Sequence, residues 1–255
     1  MYKTFSASDY KKYLGFSEDY HIEGMLCYGT WNKQKQIPIF KQAMADLGKQ
    51  AEFNSLPEFL GRMTEFVIDG KRYWFDISYG GALLSEYLHL ACLFGSKKNI
   101  VLGSCGGLSL DVNPGDLIIP TYSFGNESST RMYSPDEVDN KHFPDENLSK
   151  SLQEKIKPDF RVLRGATTTS QAMMGETLEH IKKWSAEGFL GVEMEASTVF
   201  AVSKHFGVPS AGLIYMTDNL IKEETVLDES FKHGKERKEE VVKEQYRVAL
   251  EELLS

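Results

Sequence analysis

Asn99-Ile-Val-Leu-Gly-Ser-Cys-Gly-Gly107 is a short apolar run that ends in a cluster of glycines. An uninterrupted apolar run of this length suits a strand covered on both faces. The glycines after it permit a tight turn and close approach of the backbone to another group. Similar short apolar or alternating runs lie on either side, at Ile22–Tyr28, Thr64–Ile68, Arg72–Ser78, Asp116–Pro120, Phe160–Thr167 and Ala211–Thr217. They read as further strands. Between several of them, apolar residues recur at i, i+3, i+4 spacing: Ile37–Leu47, Ala82–Phe94, Glu176–Ala186, Glu195–Phe206 and a closing stretch from about Ser230 to Leu254. These predict helices with one apolar face, and Gly95 and Gly207 fall where two of them would end. Strands alternating with helices predict an α/β fold with a parallel or mixed sheet. In such sheets ligands gather at the carboxyl ends of the strands.

Composition narrows the function classes. The chain has 255 residues, 41% of them hydrophobic and 26% charged, the proportions of a globular protein. The formal net charge of −8 argues against a general nucleic-acid binder, which needs a basic face to release counterions. It leaves a small anionic substrate open, because one local Lys or Arg is enough to hold a phosphate. No stretch approaches the roughly 18–20 apolar residues of a membrane helix, and Met1 to Tyr20 lacks the apolar core of a secretory signal. Cys27, Cys92 and Cys105 form no C-x-x-C pair, so a reduced, cytoplasmic setting is expected. His21, His89, His142, His180, His205 and His233 show no ligand spacing, so no metal is expected. The polar stretch Gly125 to Lys150 reads as a functional loop, and Lys232–Lys243 as the solvated side of the last helix.

Three predicted strand ends carry chemistry. In the first, Ser104 adds a hydroxyl to the glycine turn Gly103–Gly107, whose N–H groups suit an anion; a turn needed only for chain reversal is the plain alternative. The second is Gly191-Val-Glu-Met-Glu-Ala-Ser197. Its acids either favour a helix start or accept hydrogen bonds from a sugar diol, one hydroxyl per oxygen. The third is Leu213-Ile-Tyr-Met-Thr-Asp-Asn219. There Asp218 is either a turn former or a proton donor to a leaving group.

The order and spacing of these motifs, with Asn113-Pro-Gly-Asp116-Leu-Ile-Ile between them, resemble the nucleoside phosphorylase-I family. That family holds purine nucleoside phosphorylases, uridine phosphorylases and related nucleosidases. The resemblance runs from about Ile22 to the C-terminus. It implies one α/β domain over residues 1–255, with 1–20 as an N-terminal extension and a central mixed, barrel-like sheet flanked by helices. It implies cleavage of a ribosidic C–N bond through an oxocarbenium-like transition state, with phosphate as co-substrate and no other cofactor. By the same resemblance, Glu195 binds the ribose hydroxyls, Met194 packs on the sugar, Glu193 accompanies them and Asp218 protonates purine N7. Ser104, Cys105 and Gly106 would form the nucleophile and substrate region, and Gly29 and Lys33 the phosphate site. Met173 or Met174, in Thr168-Thr-Ser-Gln-Ala-Met-Met174, would line the base, and Tyr133 would cover it. A homo-oligomer, dimer or hexamer, is implied as well.

The chain departs from the phosphorylase pattern at two places. Gly29-Thr-Trp-Asn-Lys33 stands where those enzymes carry Gly-Asp-Pro-x-Arg, and Val101 stands where they carry a second phosphate arginine. Arg62 falls near a region from which some members lend an Arg to a neighbour, and Tyr13 near the place of the family's N-terminal His. A water-using nucleosidase and a non-catalytic nucleoside-binding member are the alternatives. The nucleosidases' early Glu has no equivalent after Tyr28.

Overall fold

The computed structural model describes residues 1–225, 227–228 and 235–255. Strand β1 (Gly24–Gly29) runs parallel between β4 (Lys71–Ser78) and β5 (Asn99–Gly107). Its alternate residues serve two cores. Leu26 and Tyr28 face one, Met25 and Cys27 the other. β4 splits the same way, with Phe75 and Ile77 on one side and Trp74 on the other. That is why these segments read as continuous apolar runs rather than as half-polar strands.

From β5 the sheet closes on itself. β5 pairs parallel with β10 (Ser210–Asn219) and antiparallel with β9 (Gly191–Glu193). β9 pairs with β8 (Val162–Thr169), β8 with β6 (Leu117–Phe124), and β6 antiparallel with β10. Five strands thus form a ring, extended past β1 and β4 by the antiparallel β3 (Thr64–Ile68) and β2 (Glu52–Asn54), with the short β7 (Lys141–His142) paired to β6. The fold is the expected α/β class with a mixed, barrel-like sheet.

Helices cover both faces. α3 (Gly81–Leu93) and α7 (Ala196–His205) pack together over Trp74, Phe94 and Val101. α2 (Lys33–Asp46), α5 (Glu146–Lys155) and α8 (Lys235–Leu253) cover the other core around Phe40, Phe75 and Tyr246. α6 (Leu178–Ala186) rests on the segment Leu220–Lys222. None of the described helices is long and apolar enough to cross a membrane.

Several sequence expectations need correction. The glycine cluster is not a turn: β5 continues through Gly107. Its glycines make room. A Cβ on Gly106 would collide with Leu220, one on Gly107 with Met216. Gly125 to Lys150 is not one loop, since it holds α4 (Ser128–Tyr133), β7 and the start of α5. The expected N-terminal extension, residues 1–20, is not contradicted: it contains α1 (Ala7–Leu14), capped by a reciprocal Ser6–Asp9 box, and Tyr10, Leu14 and Phe16 pack on the α3 core. The beginning of the expected last helix, Ser230 to Gly234, and with it His233, lies outside the described residues. Farther along it, Lys238 is half-buried rather than solvated, and its charge interacts with Asp218.

Candidate active site

The strand register gathers the predicted residues at one rim of the barrel. Gly29 pairs with Ser78 across β1 and β4. Gly106 pairs with Asp218 across a bulge in β10, and with Val192 in β9. Thr169 pairs with Glu193. The carboxyl ends of β1, β4, β5 and β10 therefore meet the start of α7, with Ser104 and Gly106 half-buried between them.

Glu195 is the N-cap residue of α7 and is buried. Its Oε1 accepts the Gly80 N–H at 2.7 Å, and its carboxyl fills the space that a side chain at Gly29 would need. Gly29 is thus required by close packing. Burial, reinforced by the neighbouring Glu193, pushes the Glu195 carboxyl up to about 8. Burial raises the Glu193 carboxyl too, but its oxygens are occupied within the fold. Its Oε1 accepts the Thr169 and Ser123 hydroxyls at 2.6 and 2.9 Å, and its Oε2 accepts the N–H groups of Glu195 and Ala196 at 2.7 and 2.6 Å. A carboxylate holding the first N–H groups of a helix is a strong anchor. Both oxygens are committed internally, so Glu193 fixes the position of Glu195. Between the two acids, Met194 is half-buried, and its carbonyl accepts the Gln171 side chain at 2.9 Å.

Asp218 is buried at the end of β10 and is hydrogen-bonded by the Thr217 hydroxyl. Asn219 fixes this strand end by donating to the carbonyls of Ser109 and Val112 at 3.0 and 2.9 Å. Burial raises both Cys105 and Glu176, and the Asp218 charge adds to each shift. Cys105 itself is turned away from the rim. Its sulfur packs beside Gly191 in a small core with Ile118, Ile214 and Met216. Of the expected substrate residues, it contributes backbone only.

At the mouth, the exposed rings of Trp31 and Tyr79 meet edge to face at 5.3 Å, and the Tyr79 hydroxyl touches the Met173 sulfur at 3.5 Å. Met173 therefore lies at the site, whereas Met174 is 92% exposed. Tyr133 is seated elsewhere. Its hydroxyl meets His89 Nδ1 at 2.9 Å and its ring packs with His205 and Phe206 beside α3 and α7. Its aromatic surface is used in that core. Lys33 Nζ donates to the Arg62 carbonyl at 2.6 Å, and both cations act on Asp76.

Asp76 was not singled out by the motifs. It is fully buried on β4, its Oδ2 accepts the Ser78 hydroxyl at 2.5 Å, and its Oδ1 has no hydrogen-bond partner among the described residues. The legible signal was a lone acid in the apolar run Tyr73-Trp-Phe-Asp-Ile77. Burial pushes it from 3.8 up to about 6. The folded chain therefore holds a proton there that the unfolded chain releases, and the resulting penalty is absent below about pH 4 and grows until about pH 6. Asp76→Asn is expected to gain on the wild type as pH rises from 4 to 7, by up to ~3 kcal/mol. Thermal unfolding at pH 4, 5.5 and 7 measures it, and a pH-independent difference would remove Asp76 as the titrating group.

A sequence profile of the phosphorylase superfamily matches residues 82–252. A guanosine phosphorylase of Halorubrum lacusprofundi is 27% identical over 120 residues, which cover 47% of this chain and 49% of that protein. A DeoD-type purine nucleoside phosphorylase of Clostridium beijerinckii is 30% identical over 130 residues, or 50% and 54% of the two chains. The chain thus spans about half the length of the curated relatives it matches. The crystal structure of uridine phosphorylase from Vibrio fischeri superposes with a TM-score of 0.73 at 16% identity, covering 93% of this chain and 98% of that one. It shows the same fold.

Proposed function

The chain belongs to the phosphorylase superfamily, and on that premise we propose that it cleaves the ribosidic C–N bond of a purine nucleoside with phosphate, giving free base and ribose 1-phosphate. The observation that supports this reading is that two buried acids from distant segments, Asp218 at the end of β10 and Glu195 at the start of α7 just past β9, adjoin the two strands that pair with Gly106 of β5. The Glu195 carboxylate accepts the ribose 2′ and 3′ hydroxyls while Gly80 holds it in place, and Met194 packs on the sugar. A phosphate oxygen, held by Ser104, the Gly29 backbone and Lys33, attacks C1′. The C1′–N bond breaks, its electron pair leaves with the base, and Asp218 delivers a proton to purine N7. Positioning, charge stabilisation and acid catalysis all contribute. Met173 lines the base. The purine assignment is supported by the names of the guanosine and purine nucleoside phosphorylase relatives. The same reading carries a cytoplasmic homo-oligomer, dimer or hexamer.

Hydrolysis of the same bond is a second reading, favoured by one observation: Val101 is fully buried in the apolar core, so it supplies no phosphate ligand. Base release measured with and without phosphate separates the two, and equal rates would overturn phosphorolysis. Under phosphorolysis, Lys33→Ala is expected to raise KM for phosphate by about 10–100-fold, the value of a hydrogen bond to a charged group. The nucleoside KM should barely move.

A further inference from the structure

Gln245, midway along α8, is fully buried, and the chemistry above makes no use of it. Its Nε2 donates to two strand carbonyls at once, Gly103 of β5 at 2.9 Å and Leu213 of β10 at 2.6 Å. Its Oε1 accepts the hydroxyl of Tyr28, in β1, at 3.4 Å. β5 lies between β1 and β10, so one side chain ties three neighbouring strands. Both hydrogens of the amide nitrogen are committed, which is what keeps a polar group tolerable in an apolar core. The next residue, Tyr246, extends the tie. Its ring stacks on Tyr28 with centroids 5.2 Å apart, and its hydroxyl donates to Gln36 Oε1 of α2 at 2.9 Å.

Each of these contacts falls beside a group assigned above to phosphate. Tyr28 precedes Gly29, Gly103 precedes Ser104, and Gln36 lies in the first turn of α2, which begins at Lys33. The β1–β5 ladder ends at Tyr28 and Leu102. Just beyond it the two backbones still run side by side: a Cβ on Gly103 would stand 3.5–3.6 Å from the N, Cα and O of Gly29. Past that point the ladder no longer fixes how Gly29 and Ser104 sit relative to each other, and the Gln245 amide bridges the two strands there. Hydrogen bonds to an anion are short and directional. A misplacement of about 1 Å in such a site costs on the order of 10²-fold.

We infer that Gln245 is a positioning residue of the phosphate pocket. By clamping β1, β5 and β10, with Tyr246 carrying the tie on to α2, it sets the spacing of Gly29, Ser104 and Lys33 around the attacking anion. This rests on the phosphorolytic reading for the identity of the ligand, and adds the part of the chain that shapes its pocket. The grip on the nucleoside is built separately. Glu195 is held by Gly80 and Glu193, and the end of β10 by Asn219 through Ser109 and Val112. Loss of the Gln245 clamp should therefore be felt by phosphate and hardly by the nucleoside.

The test is calorimetric titration of the full chain with inorganic phosphate and, separately, with guanosine, alongside base release from guanosine in phosphate. Gln245→Met fills the same space but donates nothing. It is expected to weaken phosphate about 10–10²-fold, in Kd and in KM, because two pocket strands lose their tie. Guanosine binding should change by less than about threefold, below the value of one ordinary hydrogen bond. Tyr246→Phe keeps the stacked ring and loses only the bond to Gln36. It should weaken phosphate by about three- to tenfold, and it serves if the methionine variant does not fold. A merely structural role would lower the thermal midpoint with phosphate affinity unchanged, or would weaken phosphate and guanosine alike. Either result overturns the assignment, and a wild-type chain that binds no phosphate removes phosphorolysis and the assignment together. A selective loss of phosphate binding in the variants of a chain that releases no base from guanosine would instead overturn the proposed activity and leave the role of Gln245 standing.

Discussion

Asp218→Asn is expected to lower the turnover of purine nucleosides by about 10²–10⁴-fold, the usual contribution of a general acid. Asn has nearly the same shape, and its side-chain oxygen can still accept from the Thr217 hydroxyl, one of the groups that interact with Asp218 in the native chain. The strand end should also survive, because Asn219 fixes it independently through Ser109 and Val112. What the variant lacks is an acidic proton for the departing base. The control follows from the chemistry: a nucleoside of 7-methylguanine already carries positive charge in its imidazole ring and needs no proton at N7. The variant should lose far less on that substrate than on guanosine. Equal losses on the two would show that Asp218 acts by position or packing and not as an acid.

How far the sequence reveals this site depends on which interactions are local. β1, β4 and β5 are legible because each is buried on both faces, so their own residues carry the signal. The ring closure through β9 is not. Gly191–Glu193 is three residues long, and its acids look like the first turn of the helix that follows. Glu193 in fact does both, ending a strand and holding the N–H groups of α7. The glycines of β5 read as a turn because glycine is ambiguous between freedom and lack of bulk. Here Leu220 and Met216, from a distant segment, decide for bulk. Glu195 and Asp218 are legible through motif order, yet their meeting depends on the β5–β10 pairing. Asp76 carries no motif. Its significance arises from tertiary burial on β4 and from charges brought near by other segments, which no local pattern contains. α1 is a different case: the Ser6–Asp9 capping box is a local signal and was readable.

Glu195→Ala carries the other large expected effect, a fall in kcat/KM for ribonucleosides of about 10²–10⁴-fold. Two hydrogen bonds from hydroxyls to a charged acceptor are lost, each worth roughly 1.5–3 kcal/mol. Both KM and kcat should suffer, since the sugar hydroxyls bind in the ground state and hold C1′ for attack. A subtler variant tests the charge. Because burial and Glu193 lift the Glu195 carboxyl to about 8, the free protein holds it neutral at pH 6 and increasingly ionised toward pH 9. The ionised form accepts both hydroxyls, so wild-type kcat/KM should climb as pH rises through about 8. Glu195→Gln should abolish that limb. The same shift has an opposite consequence for stability: a carboxyl whose pKa is raised by folding favours the folded state at low pH, and the advantage is lost as pH rises through 8. Activity and stability should therefore diverge across this range in the wild type, and the divergence should shrink in the Gln variant. Substrates report which hydroxyl matters. If 2′-deoxynucleosides react as fast as ribonucleosides, only the 3′ contact stands, and a pH profile that keeps its limb in Glu195→Gln would move the titrating group to another of the buried acids.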